Sequence, residues 1–250
     1  MEILPGVHLV DNVVMPGPGG VNPVNVGLLV DGGTITVIDA GPPGAEKAIG
    51  DYVGGIGYPL TAVRRIIITH HHVDHTGGLA GLVELTGAEV WAHAADAGFI
   101  DGSVPRPVLE MPEERIRAFL PAATAEEIAV VRARMKEFMR ARPAKVDLRL
   151  GGGGEELSVL GGCRILHTPG HTPGHICLYL PSRSLLISGD LVRYEQGRVA
   201  GPPPGFTENP AEAAASLRLV AGLAFEHLYG YHGAFLPAEA GRLVGELAAG

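Results

Sequence analysis

Short runs of β-branched and aliphatic residues alternate with segments of helical spacing along the first third of the chain. Strand patterns at residues 26–30 and 34–39 flank residues 31–33, Asp-Gly-Gly, a composition typical of a hairpin turn. Apolar residues within 45–57 recur at helical spacing, and the apolar run at 64–69 predicts a buried strand. A short helix and another strand follow, so we expect a mixed sheet with crossover helices.

The second half of the chain repeats this alternation. Four strands are predicted there, at residues 157–160, 163–166, 176–180 and 184–188. A helix capped by Asn209 comes next, followed by a strand at 227–230 and a terminal helix from about Pro237. Two similar halves of strands with helices outside them predict an α/β fold, a four-layer αββα sandwich in which the two sheets pack together.

Residues 101–147 differ from their surroundings. Pro- and Arg-rich segments there flank a helix that begins with a capping box formed by Thr124 and Glu127, and Pro143 is expected to end it. We predict that this helix packs on the sheet; an insertion that overhangs the functional site is the alternative. No linker or repeat separates domains, so we expect a single domain over 1–250 with this helical insertion.

Composition and charge narrow the functional class. The chain is 46% hydrophobic with a mean hydropathy of +0.21, which is typical of a compact globular protein. A net charge of −8 argues against a surface that binds nucleic acid or an anionic membrane, since both require basic patches. No signal-peptide pattern and no apolar run of about 20 residues is present. We expect a cytoplasmic protein with two buried free thiols, Cys163 and Cys177.

The polar residues of the segment THHHVDHTGG, 69–78, indicate a metal site. In an extended turn, residues two apart point the same way, so His70 and His72 can hold one ion. Asp74 and His75 continue around the turn toward a second ion. Imidazole and carboxylate are the ligands that zinc and other borderline metals bind, and no cysteine is placed to contribute.

The remaining ligands are predicted from the second half of the chain, where His171, Asp190 and His232 each follow a predicted strand. Strand ends that share a sheet edge converge in space, so these side chains can face the histidine cluster. A catalytic metal needs about three protein ligands and an open position, so two ions require about six ligands and a bridge. Seven residues meet that requirement: His70, His72, Asp74, His75, His171, Asp190 and His232.

Four further polar residues are predicted to support this site without binding metal. Asp39, at the end of a strand, is expected to orient a ligand or a loop. Thr69 and Thr168 are expected to provide hydrogen bonds near the ligands. His93, which ends the strand after the metal-binding segment, is the histidine that we expect most to orient a ligand.

With these motifs in place, the chain resembles the metallo-β-lactamase superfamily. The segments that carry the resemblance occur in the family's order: IDAG (38–41), THHHVDHTGG (69–78), HTPGHTPGH (167–175), SGD (188–190) and YHG (231–233). The resemblance implies an αββα sandwich with a two-metal site at the sheet edges. It also implies that His70, His72 and His171 hold one ion, that Asp74, His75 and His232 hold the other, and that Asp190 bridges them.

The same motifs separate branches of that superfamily. True β-lactamases usually carry a Cys near the place of Asp190, flavo-diiron proteins have Glu where this chain has His72, and transfer-RNA-processing members act on nucleic acid. The segment 167–175 is most similar to the glyoxalase II, or hydroxyacylglutathione hydrolase, branch. The chain ends soon after His232 with one predicted helix, so we expect no helical C-terminal domain of the kind glyoxalase II uses to hold glutathione.

The expected function is a binuclear metal-dependent hydrolase that cleaves a small ester, lactone or thioester with a metal-bridging hydroxide. We expect two divalent ions, zinc first, with manganese or iron as alternatives. Asp74 is expected to orient the hydroxide and carry a proton. Tyr194 is a candidate donor to the developing oxyanion, as a tyrosine near that place is in lactonases; packing is its alternative role. Segments 15–25, 101–147 and 201–206 are expected to form an apolar rim around the small-molecule substrate.

Three alternatives remain open. The first is a mononuclear iron dioxygenase that acts on persulfides, since relatives use one iron with nearly the same ligands. The second is a phosphodiesterase. The third is a metal-binding module without catalytic activity, but such a module should lack one of the ligands, and none is missing here.

Overall fold

The computed structural model describes residues 1–10, 13–17, 20–106, 113–151 and 154–250. The strands are β1 (Glu2–Leu4), β2 (Val7–Val10), β3 (Val14–Gly17), β4 (Gly20–Pro23), β5 (Val26–Asp31), β6 (Thr34–Ile38), β7 (Val63–Ile68), β8 (Glu89–His93), β9 (Leu148–Leu150), β10 (Glu156–Leu157), β11 (Cys163–His167), β12 (Ile176–Leu180), β13 (Leu185–Ile187), β14 (Arg193–Glu195), β15 (Arg198–Ala200) and β16 (His227–Tyr229). The helices are α1 (Ala45–Gly55), α2 (Val73–Thr76), α3 (Leu79–Thr86), α4 (Ala94–Asp101), α5 (Glu113–Phe119), α6 (Ala125–Phe138), α7 (Pro210–Ala221) and α8 (Ala240–Ala249).

Two sheets form the centre of the structure. The first has the strand order β1-β2-β5-β6-β7-β8-β9, in which the pairs from β6 to β9 are parallel and the others antiparallel. The second has the order β10-β11-β12-β13-β16, with one parallel pair at the end. The predicted hairpin of β5 and β6 and the mixed sheet with crossover helices are therefore confirmed.

Side chains alternate between two apolar layers along the central strands, and this alternation produces the sandwich. On β7, Ile66 and Ile68 face the layer that contains α1 and α3, whereas Ile67 faces the second sheet. On β12, Leu178 faces the first sheet, whereas Cys177 faces the layer that contains α7 and α8. A strand buried on both faces needs apolar residues at every position, which explains the continuous apolar runs. The predicted four-layer αββα architecture is confirmed.

Helices α5 and α6, between β8 and β9, form a separate small core. The capping box of Thr124 and Glu127 is present at the start of α6, as predicted. The helix ends at Phe138, before Pro143, and its buried residue Ile128 packs against Ile116 of α5. The prediction that this helix packs on the sheet is wrong, because its narrow apolar stripe is covered by α5 instead.

Several smaller features differ from the sequence-based expectation. The strand expected at 157–160 is the two-residue β10, and the terminal helix begins at Ala240. Segment 15–25, expected as a loop, contains the hairpin of β3 and β4; residues 18–19 lie outside the described residues. Cys163 and Cys177 are buried and free, as expected. None of the described helices is both long enough and apolar enough to cross a membrane.

Candidate metal centre

The seven predicted ligands come together at the ends of four strands. They are His70, His72, Asp74 and His75 after β7, His171 after β11, Asp190 after β13 and His232 after β16. Their nitrogen and oxygen atoms form three overlapping groups, and within each group the candidate ligand atoms lie within 4.8 Å of one another. Residues from both halves of the chain therefore form one centre, although their roles as ligands stay a prediction.

The first group consists of three histidines. The Nδ1 atom of His72 lies 3.0 Å from Nε2 of His70 and 3.1 Å from Nε2 of His171. Burial, reinforced by the neighbouring histidines, lowers the pKa of His70 well below its usual value and the pKa of His72 to about 3. Neutral imidazole is the form that binds metal. Ligands at 2.0–2.1 Å from a tetrahedral zinc ion lie about 3.3 Å apart, so these three nitrogen atoms suit one ion.

The second group combines a carboxylate with two histidines. Oδ2 of Asp74 lies 3.2 Å from Nε2 of His232 and 3.6 Å from Nε2 of His75. Burial alone would raise the pKa of Asp74, but the positive charges at His75 and His232 lower it to about 2. Burial alone would lower the pKa of His232, but Asp190 and Asp74 raise it to about 10. Without an ion, this group therefore holds protons that a bound cation would displace.

Asp190 lies between the two groups. Its Oδ2 atom is 3.4 Å from Nε2 of His171 and 3.5 Å from Nε2 of His232, and its Oδ1 atom is 3.3 Å from Nε2 of His75. Both Oδ1 of Asp190 and Nε2 of His75 are buried and make no hydrogen bond within the described residues. Buried polar atoms without partners are rare, and these two face each other across the space that a cation would occupy. The residues therefore fit a bound divalent ion.

Asp39 orients the second group from the end of β6. Its Oδ2 atom accepts a hydrogen bond from Nδ1 of His75 at 2.9 Å, which leaves Nε2 of that ring free to face the centre. The backbone N–H and the hydroxyl of Thr69 also donate to Asp39. The Tyr231 ring packs against the His75 ring, tilted by 33° with 3.6 Å between ring centroids, and its hydroxyl donates to the carbonyl of Asp74. The structure thus places Asp39 and Thr69 where support was expected, and adds Tyr231.

His175 supports the bridging position rather than joining the ligands. Its Nε2 atom accepts a hydrogen bond from the backbone N–H of Asp190 at 3.2 Å, and its Nδ1 atom lies 2.9 Å from Oγ1 of Thr168. Burial lowers the pKa of His175 to about 3, so the ring is neutral and can accept. A Cβ atom at Gly189 would lie 2.7 Å from this ring, which explains the glycine in the segment SGD. Thr168 supports the site through this histidine.

Asp96 is a functional residue that the sequence analysis missed. Its Oδ2 atom accepts from the backbone N–H of His71 at 2.9 Å and from the hydroxyl of Thr172 at 2.7 Å, and its Oδ1 atom accepts from the N–H of Gly174 at 2.7 Å. Asp96 therefore joins the loop that carries His70 and His72 to the loop that carries His171. No local pattern marks it, since an acidic residue in the first turn of a helix is common.

Two other predicted residues lie elsewhere. His93 caps α4 by accepting from the N–H of Ala95 at 3.3 Å, and its ring stacks on His167 at 3.9 Å, so the expectation that it orients a ligand is wrong. Tyr194, on β14, packs partly buried against the apolar layer that contains α7 and α8. Its backbone forms a β-bridge with Gly233, directly after His232, but among the described residues its side chain makes no hydrogen bond to the seven ligand residues. Its catalytic role stays a prediction.

A cavity of about 310 Å³ opens beside His72. Its walls are His71, His72, Val73, Arg106, Met139 and residues 205–208. Of the three expected rim segments, 101–147 and 201–206 contribute to these walls. Val24, after β4, instead forms a β-bridge with His232, so this end of segment 15–25 lies beside the second ligand group.

The chain matches known proteins along most of its length. The family model of the Metallo-beta-lactamase superfamily matches residues 19–232. The uncharacterized protein YobT of Bacillus subtilis (strain 168) is 30% identical over 230 residues, 88% of this chain and 88% of YobT. The probable metallo-hydrolase YflN of the same organism is 29% identical over 216 residues, 80% of this chain and 75% of YflN. A hydroxyacylglutathione hydrolase of Pseudomonas aeruginosa (strain LESB58) is 32% identical over 183 residues, 72% of this chain but 50% of that enzyme.

Solved structures agree with these matches. A metallo-beta-lactamase family protein from Thermus thermophilus superimposes with a TM-score of 0.71 at 30% identity, covering 99% of this chain and 80% of that one. The metallo-beta-lactamase SMB-1 has a TM-score of 0.64 at 18% identity, covering 93% of this chain and 79% of that one, and shows the shared fold alone. The chain belongs to the metallo-beta-lactamase superfamily, and the sequence-based prediction of a metal-dependent hydrolase of that superfamily is confirmed.

Proposed function

We propose that the chain is a binuclear metal-dependent hydrolase that cleaves a small ester, lactone or thioester. The position of Asp190 carries this proposal. Its carboxylate lies between a group of three histidines and a group with one carboxylate and two histidines, within 3.5 Å of a nitrogen atom from each. A carboxylate with one histidine group on each side is suited to bridge two cations.

The donor atoms favour a borderline divalent metal. Imidazole nitrogen and carboxylate oxygen suit zinc, manganese and iron(II), and zinc commonly binds such sets. Burial raises the pKa of the thiols of Cys163 and Cys177 to about 12, so neither cysteine supplies a thiolate. We propose two zinc ions, the first held by His70, His72 and His171. Asp74, His75 and His232 hold the second, and Asp190 contacts both.

Each supporting residue has a defined role in the reaction. Ions bound here supply a water molecule of lowered pKa and polarise the substrate carbonyl. Asp74 is ionised across the physiological range, and its Oδ2 atom can accept the proton of the attacking water. Asp39 and Tyr231 keep His75 in one orientation, so that its Nε2 atom faces the centre. The N–H of Asp190, held by His175, fixes the direction of the bridging carboxylate.

The substrate class follows from the cavity and the relatives. A cavity of about 310 Å³ with apolar walls at Val73, Met139 and Phe206 favours a small acyl compound. Hydroxyacylglutathione hydrolase cleaves a thioester, but the chain spans about half the length of that enzyme. Rates of hydrolysis with an ester, a lactone and a thioester therefore distinguish among these three substrate classes.

A mononuclear iron dioxygenase is a second candidate because one overlapping group, His70, His75 and Asp190, is a set of two histidines and one carboxylate. That combination with open positions is typical of non-haem iron(II) oxygenases. Metal analysis distinguishes the two candidates: two zinc or manganese ions per chain support the hydrolase, whereas one iron supports the oxygenase.

The decisive experiment measures proton release on a pH-stat with metal-replete protein and a panel of lactones, esters, thioesters, β-lactams and phosphodiesters. We expect a clear rate for one of the first three classes and its loss in Asp74→Asn. Asp51→Asn is the matched control, because Asp51 is exposed on α1 and pairs only with Lys47 among the described residues. Silence across the panel, together with one bound iron and oxygen consumption with a persulfide, would contradict the proposal.

A further inference from the structure

Arg106 places a positive charge in the cavity beside His72. It follows α4, and its Nε atom donates a hydrogen bond to the carbonyl of Phe99 at 2.8 Å. Its Nη1 atom is buried and has no hydrogen-bond partner within the described residues. A guanidinium stays protonated in proteins, so the cavity wall that Arg106 lines carries a positive charge.

An unsatisfied buried charge is unfavourable unless something pairs with it. Burial lowers the pKa of Arg106, which shows that its surroundings already disfavour the charge. Proteins usually pair such a guanidinium with a carboxylate, often through two parallel hydrogen bonds. An anionic group of a ligand in the cavity that Arg106 lines would offset the cost of burying this charge.

The acidic residue in the same cavity does not neutralise Arg106. Glu208 is half exposed, and its Oε1 atom lies 4.0 Å from Nε2 of His71. No carboxylate oxygen lies within 4.0 Å of the Arg106 guanidinium among the described residues. The other walls, which include the apolar Val73 and Met139 as well as His71, His72 and Thr207, contain no carboxylate.

The same small cavity connects Arg106 to the metal centre. The backbone carbonyl of Phe99 accepts the hydrogen bond from Arg106. The Phe99 ring packs against the His71 ring, tilted by 33° with 4.6 Å between ring centroids. His71 lies in sequence between the predicted ligands His70 and His72. A sphere of 310 Å³ is about 8 Å across, so one small molecule can reach from the guanidinium to His72.

We propose that Arg106 is an anion-binding subsite, and that the substrate is a small acyl compound with a carboxylate close to its scissile carbonyl. The substrate part of this inference rests on the proposed hydrolase function; the binding of an anion at Arg106 does not. In the reaction, water adds across the acyl C–O or C–S bond, which yields a carboxylic acid and an alcohol or thiol. The second carboxylate remains bound to Arg106 and takes no part in bond breaking.

The kinetic test compares three esters of the same shape on zinc-loaded protein: 3-acetoxybenzoate, the neutral 3-acetoxybenzamide and the cationic 3-(aminomethyl)phenyl acetate. We expect kcat/KM for the anion to exceed that for the amide by about tenfold to a hundredfold, the range for a charge-assisted hydrogen bond. Equal rates for the anion and the amide, or a preference for the cation, would overturn the assignment.

Variants assign the preference to the guanidinium. Arg106→Gln keeps a donor for the carbonyl of Phe99 but removes the charge, so we expect the anion preference to disappear while the rate with the amide remains. Arg106→Lys should retain part of the preference. Glu208→Gln, a change in the same cavity, should preserve or increase it. Circular dichroism and metal content verify that each variant is folded and loaded.

A binding measurement separates this inference from the proposed function. Calorimetry with 3-hydroxybenzoate and 3-hydroxybenzamide requires no turnover, and zinc affinity for a carboxylate is common to the wild-type protein and Arg106→Gln. We expect the variant to bind 3-hydroxybenzoate about tenfold or more weakly and the amide equally well. If none of the esters is cleaved but this difference is found, the subsite holds and the hydrolase proposal fails. Equal affinity of both proteins for 3-hydroxybenzoate overturns the subsite whatever the rates.

Discussion

The two ligand groups on either side of Asp190 differ in charge although both bind through histidine. In the group of His70, His72 and His171, burial lowers the pKa of His70 and His72, so these two rings are neutral. The group that contains His232 sits beside carboxylates, which raise the pKa of that ring to about 10. His70 and His72 can take a cation without releasing a proton, whereas the second group must exchange protons for it. The second site should therefore be the weaker one and the more sensitive to pH.

The largest expected effect comes from Asp190→Asn, which removes the carboxylate common to both groups. We expect loss of at least one ion per chain and a fall in hydrolysis beyond the roughly 10- to 100-fold typical of losing an outer partner. Metal analysis and the pH-stat rate check this. Unchanged metal content and rate would show that the two groups act without a bridge.

Asp39→Asn and Asp96→Asn each remove a hydrogen-bonding residue that supports only one of the two ligand groups, so the two variants should affect different ions. Asp39 contacts His75, so its substitution should weaken the second ion by about 10- to 100-fold and leave the first unchanged. Asp96 joins the loops of His71 and Thr172, so its substitution should weaken the first ion instead. Stepwise zinc titration of both variants measures this, and identical titrations would contradict the division into two groups.

The pH dependence of stability should have opposite signs for the two groups in metal-free protein. The pKa of His72 is lowered to about 3 in the folded state, so below about pH 6.5 the unfolded chain binds an extra proton and stability falls as pH decreases toward 3. The pKa of His232 is raised to about 10, so its stabilising contribution is full below about pH 6.5 and is lost as pH rises toward 10.

A plot of unfolding free energy against pH should therefore have an acidic limb and an alkaline limb. Each proton contributes a slope of about 1.4 kcal/mol per pH unit, measured by urea unfolding at a series of pH values. His232→Gln should reduce the slope of the alkaline limb, to which His75 still contributes, and His72→Gln should reduce the slope of the acidic limb, to which His70 and His175 still contribute. Zinc should also remove the alkaline limb, because the cation replaces the proton. If His72→Gln reduced the slope at alkaline pH and His232→Gln did not, the protonated ring would be His72 rather than His232, contrary to the assignment above.

The smallest effect is expected outside both groups, in the helices between β8 and β9. Thr124→Ala removes the hydrogen bond from the backbone N–H of Glu127 at the start of α6 and should cost about 1 kcal/mol of unfolding free energy. Zinc content and the pH-stat rate should stay unchanged, because Thr124 contacts neither ligand group. Loss of zinc in this variant would show that the insertion holds the centre together.

Local pattern predicted most of the secondary structure. The apolar run of β7, the hairpin of β5 and β6 and the cap at Thr124 depend on residues within a few positions, and they were predicted correctly. The packing of α6 was predicted wrongly. The apolar face of α6 predicts that Ile128 is buried. It does not predict that Ile116 of α5 covers Ile128, because the path of the chain determines which element packs there.

By itself, the sequence determined the family, the sandwich and which residues meet at the centre. The motifs occur in the family's order, and each candidate ligand lies just after a strand that the local apolar pattern predicts. Only the tertiary structure showed which histidines form supporting hydrogen bonds instead of joining the predicted ligands. His175 holds the N–H of Asp190 and His93 caps α4, although both resemble ligands in sequence. It also placed Asp96 between two loops and Arg106 in the cavity. These contacts join side chains whose directions are set by loop conformation at the sheet edge, and no periodicity along the chain encodes that direction.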